Sequence, residues 1–106
     1  MNFRDHGILG RTGLKVSRLG IGSGYGVPAD SVEKAYHEYG VNYFFLSSPR
    51  FKGKGMQQAV KHLARTGRDS LVLALQTYDR YGLFMRRFVE KGLDSLNIDF
   101  ADILIL

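Results

Sequence analysis

Val41-Asn42-Tyr43-Phe44-Phe45-Leu46 decides the fold class. Large apolar side chains occupy every position from 43 to 46, with no alternating polar residue to mark a solvated face. Such a run reads as a strand covered on both faces, the habit of parallel sheets flanked by helices. Leu71-Val72-Leu73-Ala74-Leu75 repeats the pattern roughly thirty residues later, which is the scale of one strand-helix unit.

Around these two runs the periodicity becomes helical. Asp30 is a candidate N-cap, Glu33 completes a capping-box pattern, and Gly40 ends the helix. Val32, Ala35, Tyr36 and Tyr39 share one stripe, while Glu33, Lys34, His37 and Glu38 point away. A second helix places Met56, Ala59, Val60, Leu63 and Ala64 on one face and stops at Gly67. A third carries Met85, Phe88, Val89, Gly92, Leu93 and Leu96, opposite Arg86, Arg87, Glu90, Lys91 and Asp94.

The flanks complete the pattern. Ile8-Leu9 and Leu14-Lys15-Val16 bracket Gly10-Arg11-Thr12-Gly13, a hairpin with glycines where a tight turn needs positive φ. Strand-helix alternation with buried strands argues for parallel units joined by right-handed crossovers. The expected fold is α/β: a partial (β/α)8 TIM barrel, made of an N-terminal hairpin, about three βα units and a fourth strand. Strands are expected at 18–22, 41–46, 71–76 and 101–106, adjacent in order, with helices on one side. Residues 1–106 are expected to be the N-terminal portion of one domain. Four strands cannot close an eight-stranded barrel, so the remainder of the barrel or self-association should cover the sheet edges. The isolated chain is expected to aggregate or oligomerise.

Composition narrows the function classes. The chain has 106 residues, 44% hydrophobic and 24% charged, the balance of an ordinary globular domain. No apolar run approaches a membrane span, and Met1 to Gly7 has no signal-type apolar stretch. There are no cysteines, so disulfides and thiolate metal sites are excluded, and a cytoplasmic setting is expected. The net charge of +5 is spread out. Its densest groups are Arg50, Lys52 and Lys54, and Arg86, Arg87 and Lys91. No aromatic-plus-basic motif of a nucleic-acid module accompanies them.

Gly20-Ile21-Gly22-Ser23-Gly24-Tyr25-Gly26 follows the first strand but fails the GxGxxG spacing, and no acid follows the second strand as a dinucleotide site would require. It reads as a strand-to-helix loop at the top of a barrel. Gly22, Ser23, Gly24 and Tyr25 are the candidate cofactor contacts there. Phe51-Lys52-Gly53-Lys54-Gly55 could present amides and lysines to an anion at a helix start, without P-loop spacing. His6, His37 and His62 share no ligand spacing, so no metal site is expected. The six tyrosines and seven phenylalanines are read chiefly as packing.

Leu9-Gly10-Arg11-Thr12-Gly13-Leu14-Lys15-Val16-Ser17, followed by Leu19-Gly20-Ile21-Gly22, closely resembles the opening hairpin and first strand of bacterial-type aldo-keto reductases. Gly40-Val41-Asn42-Tyr43-Phe44 resembles that family's entry into strand two, and Arg68-Asp69-Ser70-Leu71-Val72-Leu73-Ala74 its third strand. Leu93-Asp94-Ser95-Leu96 with Asp99-Phe100-Ala101-Asp102-Ile103-Leu104 is similar to its approach to strand four. The resemblance implies an NADP-dependent carbonyl oxidoreductase barrel, with a small carbonyl ligand at the C-terminal strand ends. It also implies a tyrosine general acid, a lysine that activates it, an aspartate that orients the lysine, and a histidine. A phenol of pKa about 10 donates poorly at neutral pH unless an ammonium perturbs it.

The matching positions are substituted. Counted from Gly40, the aspartate falls on Phe45, or on Leu46 in an alternative register. The tyrosine falls on Arg50, or on Phe51. Counted from Arg68-Asp69, the lysine falls on Gln76. The histidine position would follow Leu106, and the acid usually found after the tyrosine is replaced in the region of Met56 and Gln57. Phenylalanine donates no proton and glutamine carries no charge, so the expected protein is a degenerate aldo-keto-reductase-like barrel. The rivals are an oxidoreductase with its acid moved to Tyr25, Tyr78 or Tyr81, a half-barrel oligomer, and an anion-binding module built on Lys52 and Lys54.

Overall fold

In the computed structural model, which describes residues 5–46, 54–77 and 81–105 with the side chain of Tyr25 excepted, the chain opens on an antiparallel hairpin. Its strands are β1 (Gly7–Ile8) and β2 (Lys15–Val16). Gly10 and Gly13 sit at φ 53° and 75°, left-handed values that a side chain would strain. Thr12 ties the turn: its Oγ1 donates to the Leu9 carbonyl at 2.6 Å and accepts the Leu14 N–H at 3.1 Å.

The sheet follows as β3 (Gly20–Gly22), β4 (Tyr43–Leu46), β5 (Val72–Gln76) and β6 (Ile103–Ile105), parallel and in sequence order. The connecting helices are α1 (Ala29–Tyr39), α2 (Lys54–Gly67) and α3 (Gly82–Leu96). The sheet has the order, the direction and the one-sided helix cover expected of part of a barrel. The strands start later than the apolar runs do. The Val41 N–H is donated to the Ala35 carbonyl and the Asn42 N–H to Ser17 Oγ. Their amides are therefore committed before the ladder begins.

Two faces separate cleanly. Phe44, Leu46, Leu73 and Leu75 join Val32, Met56, Ala59, Val60, Leu63 and Leu96 in one buried cluster. Strand side chains alternate, so Gly20, Gly22, Tyr43, Phe45, Val72, Ala74, Gln76, Ile103 and Ile105 lie on the other face. A barrel turns that face inward. β5 is buried from Val72 to Leu75, as expected, but β4 is not. Phe44 and Leu46 are 0% and 4% exposed, while Tyr43 and Phe45 are only half-buried. A uniformly apolar sequence thus hides an alternation in burial.

Three helix details differ from the sequence reading. Asp30 is not the N-cap: Pro28 is, at φ −67° and ψ 150°, and its carbonyl accepts the Val32 N–H. Proline's fixed φ already sets the chain for helix entry two residues earlier. Asp30 lies in the first turn, where its carboxylate favours the helix dipole, and Glu33 pairs with His62 across to α2. Tyr39 leaves the packed stripe and is exposed, because the chain turns at Gly40 (φ 73°) and Val41 enters the core instead. Along α3 only Leu96 is fully buried, and Leu83 and Phe84 stand exposed at its start.

Gly55 sets how closely α2 can approach the loop before α1. A Cβ built there would lie 2.3 Å from the Val27 carbonyl oxygen and 3.0 Å from the Ala29 nitrogen, both backbone atoms that cannot swing away. Gly→Ala in a helix ordinarily stabilises by up to about 1 kcal/mol, whereas an added group in a filled space costs about 1–3 kcal/mol. Gly55→Ala should therefore lower the urea midpoint. Gly82→Ala, where nothing lies within 4 Å, should hold or raise it. Equal responses of the two variants would show that the α2 contact is absent.

Candidate functional site

The C-terminal ends of parallel barrel strands are where such folds do chemistry, because loops diverge there and inward side chains meet. In this chain Gly22, Phe45, Gln76 and Ile105 reach that end on the inward face. Gly22 pairs with Phe45, Phe45 with Ala74, Ala74 with Ile103, and Gln76 with Ile105. A Cβ on Gly22 would lie 3.7 Å from Phe45 Cδ1, so the Phe45 ring borders the space above Gly22. Gln76 stands two residues beyond Phe45's partner. With strands about 4.8 Å apart and a rise of about 3.3 Å per residue, the two Cα atoms are diagonal neighbours roughly 8 Å apart.

The candidate positions sort as follows. Phe45 and Gln76 share one face and one end of the sheet, both half-buried. Leu46 points into the helix layer at 4% exposure, so of the two sequence registers only Phe45 stands on the inward face. Met56 is wholly buried among the helices, and Gln57 borders a cavity of about 240 Å³ between α2 and α3. Ser23 is buried in a single turn closed by Gly26 N–H to its carbonyl, and Gly24 has open space around it. Arg50, Phe51, Lys52 and Tyr78 lie outside the described residues. Tyr81 is 73% exposed at the N-cap of α3, edge-on to Phe84.

This arrangement limits the chemistry. Among the described residues of the inward face, Tyr43 alone carries an ionisable group, and it lies one row below the rim. Gln76 brings an amide that donates and accepts hydrogen bonds without carrying charge. Among the described residues no group of three or more His, Asp or Glu could hold a metal ion.

The opposite end of the strands is a polar lock that the sequence reading missed. Asn42 Oδ1 accepts the Ser17 N–H at 2.7 Å, and its Nδ2 donates to the carbonyls of Lys15 (2.9 Å) and Ser70 (3.1 Å). One side chain thereby joins the hairpin, β4 and the entry to β5. Arg68 Nη2 donates to Asp102 Oδ2 at 2.9 Å and to the Phe100 carbonyl at 2.8 Å, with its guanidinium 4.0 Å above the Phe100 ring. Asp102 Oδ2 also accepts the Leu73 N–H at 2.8 Å. Arg68, Asn42 and Asp102 border a cavity of about 530 Å³ at this end, the end of a barrel that serves stability.

Comparison with known structures agrees with this architecture. The chain is similar in structure to an aldo-keto reductase from Klebsiella pneumoniae, solved in complex with NADPH, with a TM-score of 0.66 and 20% identity. The similarity covers 89% of this chain and 36% of that one. The fold is therefore that of a partial aldo-keto reductase barrel, and the chain spans about a third of the length of the enzyme it matches. No protein-family model and no curated protein matches the sequence. No described helix is long and apolar enough to cross a membrane.

The two ends should respond differently to substitution. Arg68 and Asp102 side chains are 13% and 8% exposed, so Asp102→Ala strands a largely buried guanidinium and should cost about 3–5 kcal/mol. Asn42→Ala leaves buried donors and acceptors unpaired and should cost about 1–3 kcal/mol. Gln76→Ala, at the half-buried rim, should stay within about 1 kcal/mol. Denaturant midpoints check the ranking; a rim substitution as costly as Asp102→Ala would contradict it.

Proposed function

We propose that the chain forms part of an aldo-keto-reductase-type barrel that binds a small molecule at its strand ends and has lost carbonyl reduction. One observation carries the reading: Phe45 and Gln76 share the inward rim where the family resemblance calls for an aspartate and a lysine. An aromatic ring and an amide can border a ligand, but neither can hold an ammonium or lower the pKa of a phenol. The setting in the cytoplasm belongs to the same proposal. So does the cover for β3 and β6, the outer strands of the sheet, given by further strands of this protein or of a second copy.

NADP is the cofactor this reading implies, since the structural neighbour was solved with NADPH. The described rim fits one part of it. The Phe45 ring beside Gly22 offers a flat apolar surface of the size of a nicotinamide ring. No cation stands on the described inward face to meet the phosphates, which other segments would hold. When bound, the cofactor would bring hydride chemistry; Phe45 and Gln76 would border its ring and exclude water without moving a proton.

The test is the protein at its natural length, assayed with NADPH and a panel of reactive aldehydes beside the triple variant Phe45→Asp, Phe51→Tyr, Gln76→Lys. The unmodified protein should show no turnover above background. The triple variant should gain at least about 10²-fold, the lower range for restoring a general acid. Robust turnover by the unmodified protein, lost in Tyr78→Phe or Tyr81→Phe, would instead establish a relocated acid.

A further inference from the structure

We propose that the cleft between α2 and α3, on the helix-covered face of the sheet, binds a small aromatic carboxylate, with its ring in the cavity and its acid group at Lys91. The cavity measures about 240 Å³ and opens between two consecutive helices. Leu46, Leu75 and Leu96, which are 4%, 4% and 2% exposed, form its floor, and the half-buried Phe88 forms a wall. The gap has a cause in the sequence, because Gly92 lines it from the interior of α3. Nothing local calls for glycine there. Its φ lies outside the left-handed range, and a Cβ would rest 3.6 Å from Leu75 Cδ1, an ordinary contact. Alanine would therefore fit, would strengthen the helix, and would narrow the cavity.

The lining selects the ligand. An apolar cavity of about 150 Å³ lined by leucine, isoleucine and phenylalanine accepts benzene, so the larger space here takes one ring with a short substituent. Phe88 offers that ring an aromatic partner. Among the described residues no acid lines the cavity. Lys91 lines it and is exposed, which turns the ammonium toward water and lays the stem along the apolar wall. Among the described residues Lys91 makes no ion pair, and its neighbour Glu90 is already bonded to Arg86 at 3.1 Å. Gln57 adds an amide from the α2 side, a neutral donor for the second carboxylate oxygen. A cationic ligand would meet Lys91 with like charge. The cleft is separate from the rim, since Leu46 and Leu75 face the helices while Phe45 and Gln76 lie inward. It stands whether or not carbonyl reduction is lost.

Phenylacetate and phenylacetamide share a shape and differ in charge, and titrating each into the protein at its natural length tests the site. With phenylacetate the largest saturable shifts should fall on the Leu75 and Leu96 methyl resonances and the Phe88 ring, not on Phe45 or Gln76. Phenylacetate should bind about two- to fivefold more tightly than the amide at low salt, the range of an exposed ion pair, and high salt should remove the difference. Lys91→Gln should equalise the two ligands and keep the methyl shifts. Gly92→Leu fills the space and should weaken phenylacetate at least about tenfold while melting stays cooperative. If leucine disrupts the fold, Gly92→Ala decides, because its Cβ fits: affinity should fall while the melting temperature holds or rises. Absence of shifts at Leu75 and Leu96, or affinity unchanged in a folded Gly92 variant, overturns the proposal. So does an amide that binds as tightly as the acid at low salt, or a preference that survives Lys91→Gln.

Discussion

Phe44 and Leu46 hold β4 against the helices, and the inward position of Phe45 follows from that contact. Side chains alternate strictly along a strand, so a slip of one residue would send Phe45 into the helix layer and bring Phe44 and Leu46 to the barrel interior. The helix side resists the slip because it is filled: Phe44 and Leu46 are 0% and 4% exposed beside Val32, Met56, Val60 and Leu73. Overfilling or emptying such a space costs several kcal/mol for a residue of this size. Gln76 is fixed the same way, through Leu73 and Leu75 on its own strand.

Polar contacts at the far end reinforce the same register. Asn42, the residue just before β4, joins the hairpin and Ser70 together in this register. Asp102 accepts from both Arg68 and the Leu73 N–H, which sets β6 against β5. Among the described residues, the polar contacts that join strand entries lie at the N-terminal strand ends, and Phe45 and Gln76 stand half-buried at the other.

Much of the fold was legible from local signals. Continuous apolar runs marked β4 and β5, periodicity of 3.6 marked the helices, and Gly10, Gly13 and Gly40 all take the positive φ their positions suggested. Contacts between distant residues were not legible. The partners of Asn42 lie 25 to 28 residues away, and Asp102 is 34 from Arg68, so no spacing rule reaches them. The cap at Pro28 was hidden behind the better side-chain signal of Asp30. At the candidate site, counting from Gly40 put the aspartate position on Phe45 and kept Leu46 as an alternative, since both are apolar. Only the helix-covered face tells them apart.

Nuclear Overhauser contacts of the Phe45 ring, in the protein at its natural length, test the central placement most directly. The account predicts contacts from that ring to the Gly22 α-protons, and none to the methyl groups of Met56, Val60 or Leu63. Contacts to those helix methyls, with Phe44 taking the place beside β3's inward glycines, would contradict it. Phe45 would then be a core residue with no part in the mouth.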